Sequence, residues 1–231
     1  MPDQQLDLSI ATEPGSRLPS RLAPMQPTDG VAPFDDPAWL FEPWWPGVRA
    51  LAWVEGGRLI RLRAEGMADA LTTFSELGEE LPERLMEDGV VLDGWLLALD
   101  EGGWLDVELL RRRLSGDARA GRPAFVASDL LWSAGEPWHS RGFAARRERL
   151  EAVLLDGDRC VVSHSLRGEG TLMAEALARF GLEAISARRL DARYRLGAVS
   201  PAWLRVPVAP APRTERPRLA LIQRLPFEEA G

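Results

Sequence analysis

The 231-residue sequence contains no lysine: all 28 of its lysine-or-arginine positions are arginine. Asparagine is absent as well, and tyrosine and cysteine occur once each. One cysteine cannot close a disulfide within the chain or supply a cysteine-rich zinc site. It lies in the apolar run Cys160-Val161-Val162, which predicts a buried structural thiol. The two histidines, His139 and His164, show no HExxH or comparable ligand spacing, so no transition-metal site is predicted. No apolar run approaches the ~20 residues of a membrane helix. The N-terminal stretch carries acids and prolines instead of a basic region followed by an apolar one. A soluble, cytoplasmic protein is expected. GxGxxG, GxxxxGK[ST] and GxSxG are all missing, which removes the common phosphate-loop and serine-hydrolase readings. The bias against lysine and asparagine is most simply that of a GC-rich coding sequence, and it accounts for arginine across the surface.

Hydrophobic residues make up 45% of the chain and charged residues of mixed sign 27%, with nine tryptophans, a composition that predicts one folded domain. A net charge of -7 opposes nucleic-acid binding through overall charge, although a local arginine face could still hold phosphates. Residues 1–36 read as an irregular N-terminal arm, 37–208 as the domain, and 209–231 as a tail. Residues 48–54 and 58–63 form a hairpin across Glu55-Gly56-Gly57. A helix is predicted over 67–85 from the spacing of Leu71, Phe74, Leu77, Leu81 and Leu85. Further strands are expected at 90–99, 124–132, 159–165, 182–188, 203–208 and 219–223, and further helices at 107–114, 144–155 and 170–180. The run Arg111-Arg112-Arg113 reads as the solvated end of the second helix, where cations suit the dipole. Hairpins interspersed with helices indicate an α+β domain with mixed, mostly antiparallel sheets flanked by helices.

Four segments in order resemble the adenylation domain of bacterial-type ATP-dependent DNA ligases, within the covalent nucleotidyltransferase superfamily. FEPWWPGVRAL (41–51) matches the family's E-x-K-x-D-G-x-R at Glu42, Gly47 and Arg49, with Trp44 at the lysine and Pro46 at the aspartate. VVLDGWLLALD keeps Asp93 and Gly94 and places Trp95 at the family's glutamate. ASDLLWSAG keeps Asp129 to Trp132, with Ser128 at the adenine-stacking aromatic. LEAISARRLDARYRLGAVSPAWLRV matches at Glu183, Tyr194, Gly197, Ser200 and Trp203, with Arg188 and Arg205 where lysines would grip the triphosphate. The match runs from Pro24-Met25 to about Val206, and His164 falls at a position where the family often has histidine.

The resemblance implies a covalent-nucleotidyltransferase fold, a role in DNA repair and recombination, partners among DNA repair proteins, and ATP with magnesium as family cofactors. In that family a lysine amine attacks the α-phosphate of ATP. Indole cannot, because its nitrogen lone pair belongs to the aromatic system. Arg188 and Arg205 bind anions but stay protonated. The sequence therefore predicts a non-catalytic domain with no cofactor, no metal and no catalytic residue. Its vestigial nucleotide cleft would comprise Arg49, Glu183, Arg188 and Arg205, with Trp44, Trp95 and Ser128 as degenerate positions. The tail is too short for the OB-fold domain that active ligases add.

Several readings stay open. Trp44 and Trp95 could plug the cleft, or be core residues that do not touch. An open cleft could use Arg49, Arg188 and Arg205 to sense nucleotides or DNA ends. A residual nucleotidyltransferase could use a non-lysine nucleophile such as His164, and Trp104 or Trp138 could anchor a protein partner.

Overall fold

The computed structural model describes residues 18–67, 69–209 and 216–225. Its elements in chain order are strands β1 (Gln26–Asp29), β2 (Trp39–Pro43), β3 (Val48–Glu55) and β4 (Arg58–Ala64), helix α1 (Leu77–Glu83), β5 (Val90–Leu99), α2 (Val107–Leu114), β6 (Arg122–Ser133), β7 (Glu136–Pro137), α3 (Phe143–Val153), β8 (Cys160–Val162), β9 (Leu166–Arg167), α4 (Gly170–Ala178), β10 (Ala184–Arg189), β11 (Val199–Pro207) and α5 (Leu219–Ile222). They build a five-stranded sheet ordered β1-β11-β10-β2-β9 and a six-stranded sheet ordered β4-β3-β5-β6-β7, with β8 parallel to β6. All other pairings except β1 with β11 are antiparallel, so the expected α+β class holds.

Strand β5 is buried at all ten positions, which explains its nearly continuous apolar run. It pairs with β3 on one side and β6 on the other. Gly94 permits the β6 contact: a Cβ there would lie 2.3 Å from the Val126 carbonyl oxygen. The β3–β4 turn uses Gly56 and Gly57, both at positive φ (63° and 65°), as a two-residue hairpin requires. One core cluster joins the two sheets, with Phe41, Ile185 and Val206 from the first and Trp95, Leu97 and Val126 from the second.

Several expectations need correction. The helix predicted over 67–85 is confined to Leu77–Glu83. Ahead of it Asp69 captures the Leu71 N–H, and Thr72-Thr73 are poor helix formers, so the chain makes turns that still bury Phe74. Residues 219–223 form α5 instead of a strand, because Leu219, Ile222 and Leu225 are buried at helical spacing. Within the arm predicted to be irregular, residues 18–36 contribute β1, and Leu18, Leu22 and Met25 are buried against Trp53 and Tyr194 in a second cluster. Residues 1–17 lie outside the described residues. Arg113 is not a solvated helix end: it is fully buried, pairs with Glu76 and donates to the Ala120, Gly121 and Thr73 carbonyls.

Candidate functional site

Antiparallel register sets which side chains face the space between the sheets. Glu42 and Arg205 both lie opposite Ser186, and Trp203 opposite Arg188, so these five share one face of the first sheet. On the second sheet Arg49 lies opposite Trp95 and Asp93 opposite both Leu51 and Asp129. Trp44 enters from the end of β2, where its N–H donates to the Ala184 carbonyl at 3.1 Å. The following Trp45 is buried, and its ring N–H donates to Ser163 Oγ at 3.0 Å.

Trp44 and Trp95 touch. Their ring centroids are 4.8 Å apart at 67°, an edge-to-face contact, and Trp95 is only 6% exposed. Trp203 lies 6.2 Å from Trp44, and the guanidinium groups of Arg49 and Arg188 sit over its ring at 4.3 and 4.4 Å. The reading in which the two substituted tryptophans stay apart is thus overturned.

Both arginines are committed to carboxylates. Arg49 grips Asp93 with two nitrogens, through Nε at 2.9 Å and through Nη2, and also donates to the Tyr194 hydroxyl at 3.0 Å and the Met25 carbonyl. Tyr194 passes its own proton to Asp93 at 2.6 Å. Arg188 pairs with Asp129 at 3.0 Å and donates to Ser128 Oγ at 3.1 Å, so a guanidinium approaches the small Ser128 side chain. Asp129 also receives both arms of Arg146, at 2.7 and 2.8 Å, and Arg147 reaches Glu42 at 2.7 Å. Burial opposes the charge of Arg49, but Asp93 overcomes this and raises its pKa. Burial raises the Glu42 carboxyl, with Arg188 and Arg147 pulling it back. Burial, reinforced by Asp93, lifts Tyr194 well above its ordinary range.

Glu183 and Arg205 are not part of this cluster. They line a groove of about 800 Å³ on the other side of Trp44, with Trp45, Val48, Leu105, Leu110 and Phe180 among its walls. The predicted set therefore divides, and Trp44 contacts both halves. Among the described residues no group of three acidic, histidine or cysteine side chains could hold a metal ion. His164 is half-buried with its Nε2 unpartnered, and burial lowers its pKa. Trp104 and Trp138 are half-buried under arginines, Arg216 and Arg218 over the first and Arg141 and Arg149 over the second.

No family model matches the sequence. Over 188 residues, 81% of this chain, it is 32% identical to the multifunctional non-homologous end joining protein LigD of Mycolicibacterium smegmatis. The structure matches mycobacterial DNA ligase D complexed with ATP and MES with a TM-score of 0.69 and 28% identity, covering 80% of this chain and 60% of that one. It matches the ligase domain of Mycobacterium tuberculosis LigD with a TM-score of 0.67 and 29% identity, covering 80% and 58%. This chain is homologous to the ligase domain of mycobacterial LigD. It spans about a quarter (24%) of the LigD sequence.

Within this ligase-domain frame, sequence reasoning found Arg49, Arg188, Trp44, Trp95 and Ser128, which the structure brings together. It named Glu42, Asp93, Asp129, Tyr194 and Trp203 only as motif matches, and their mutual pairing was not foreseen. Arg146 and Arg147 were missed, since an Arg-Arg pair in a helix reads as surface until both are seen buried. No helix among the described residues is long and apolar enough to cross a membrane.

Proposed function

We propose that this chain is a DNA ligase-like adenylation domain of DNA repair that forms no lysyl-adenylate and acts as a non-catalytic binding or scaffold protein. The observation that carries the reading is Trp44 packed on Trp95 between the sheets, at the position where the resemblance puts the nucleophile. An indole has no free lone pair to attack phosphorus, and the chain holds no lysine to take its place. Trp95 offers no oxygen to magnesium, which prefers hard oxygen ligands. Arg49 and Arg188 already satisfy Asp93 and Asp129, so drawing either onto a phosphate would strand a buried carboxylate. The cleft as arranged does not fit ATP with magnesium. The repair context is supported by the homology to a non-homologous end joining protein.

Incubation with α-labelled ATP followed by denaturing electrophoresis tests the chemistry, and no labelled band is expected. A covalent band would overturn the reading, and lability of that band to acid would point to His164. Calorimetric titration with Mg-ATP is expected to give no saturable heat, and micromolar affinity would sink the plugged cleft.

A further inference from the structure

A scaffold needs a surface, and the groove beyond Trp44 has the features of one. Its walls are mainly apolar: Trp45, Val48, Leu105, Leu110, Phe180 and Leu182 line it, and Val107 is 55% exposed at its edge. Charges of both signs ring these walls, Arg111, Arg205 and Arg216 with Asp106 and Glu183. Most of them are engaged. Asp106 caps α2 by accepting the Leu109 N–H at 2.9 Å, Arg111 pairs with Glu108, and Arg216 pairs with Asp100. Arg205 differs. Its half-buried guanidinium stacks on Trp44 at 5.5 Å, and among the described residues no carboxylate pairs with it.

We infer that this groove docks a short linear segment of a partner protein, one that lays apolar side chains on the walls and offers a carboxylate to Arg205. The inference rests on the non-catalytic reading above and gives that scaffold its contact surface. Trp44 then has two roles, sealing the former cleft through Trp95 and forming the groove wall under Arg205. Charge argues for a peptide over a nucleic acid. A nucleic-acid backbone brings evenly spaced phosphates and needs a cationic track, whereas this groove mixes signs, is mostly apolar, and belongs to a protein of net charge -7. A peptide with apolar anchors and a flanking acid matches both the walls and the one arginine left without an anion.

The test is selection of a random-peptide phage library on the intact protein, followed by fluorescence anisotropy with the enriched peptide. Enriched sequences should combine large apolar residues with Asp or Glu. Binding should weaken at least about tenfold with Arg205→Gln, with Val107→Glu, and when the peptide's acid is changed to its amide. Val107 is exposed, so that variant folds normally, and thermal melting of each variant checks this. A 5′-phosphorylated single-stranded oligonucleotide should not compete. The inference is overturned if no peptide is enriched, if enriched peptides lack acids, if Val107→Glu leaves binding unchanged, or if the oligonucleotide competes. Mg-ATP calorimetry on the same sample separates the two ideas: ATP binding refutes the plugged cleft, whereas failed peptide binding with no ATP binding refutes the groove alone.

Discussion

The contact between Trp44 and Trp95 can be measured as a coupling energy. Trp95 is nearly fully buried, so Trp95→Ala removes a large side chain from a packed interior and should cost about 3–5 kcal/mol. That loss is a large part of the ~5–15 kcal/mol that holds a domain folded. Because such a number mixes cavity and contact terms, Trp44→Leu, Trp95→Leu and the double variant give the better experiment. An edge-to-face pair contributes ~0.5–1.5 kcal/mol beyond burial, so the double variant should be less destabilised than the sum of the singles by that amount. Trp44→Leu also removes the platform under Arg205, and repeating the cycle in an Arg205→Gln background isolates that contribution. Urea unfolding followed by far-ultraviolet circular dichroism is the assay, since seven other tryptophans would confuse fluorescence. Additivity within ~0.3 kcal/mol would show that the rings do not couple and would refute the plugged cleft as a packed unit.

Trp44→Lys alone should yield no labelled adenylate, because Trp95 remains and Arg49 and Arg188 stay on their carboxylates; a labelled band from this single change would refute the argument that the whole cleft is committed. Asp129→Asn leaves Arg146 and Arg188 without their shared carboxylate and should cost about 3–5 kcal/mol by urea unfolding, and a loss below ~1 kcal/mol would show that the network relaxes. Cys160 has its thiol pushed up by burial to about 12, so at pH 8 it holds roughly a thousandfold less thiolate than an ordinary cysteine and should react with a disulfide reagent only as the protein opens. The raised value means its contribution to stability is complete below the ordinary thiol range and is lost as pH climbs towards 12, and Cys160→Ala should remove that part of the alkaline decline.

How much of this was legible from the sequence depended on whether a residue's partner lay nearby in the chain. Strand β5 and helix α2 were placed to the residue, because a continuous apolar run and an Asp106 cap are local signals. The arm at 18–36 was misread because Leu18, Leu22 and Met25 find their partners far along the chain, at Trp53 and Tyr194. The same limit applied in the site. The substitutions at 44, 95 and 128 were visible as departures from a motif, but the arginine that reaches Ser128 comes from position 188, 60 residues on. Glu183 and Arg205 were grouped with Arg49 and Arg188 by motif order, yet Trp44 stands between the two groups, and only the arrangement of the sheets reveals that division.

The missing lysine bears on the cleft through more than the nucleophile. A buried lysine can shed its proton and become neutral, but an arginine cannot, so each buried cation in this chain needs an anion or several carbonyls beside it. Arg49, Arg113, Arg146, Arg147 and Arg188 meet that requirement with Asp93, Glu76, Asp129 and Glu42. A cleft that grips a triphosphate works the opposite way, by keeping cations under-compensated until the anion arrives. Two of the three arginines expected to hold phosphate are instead neutralised from within, so restoring an amine at position 44 would leave the receiving charges occupied. Arg205 alone kept its charge uncompensated, and it did so by facing the groove outside Trp44, which is why binding is sought on that face and not between the sheets.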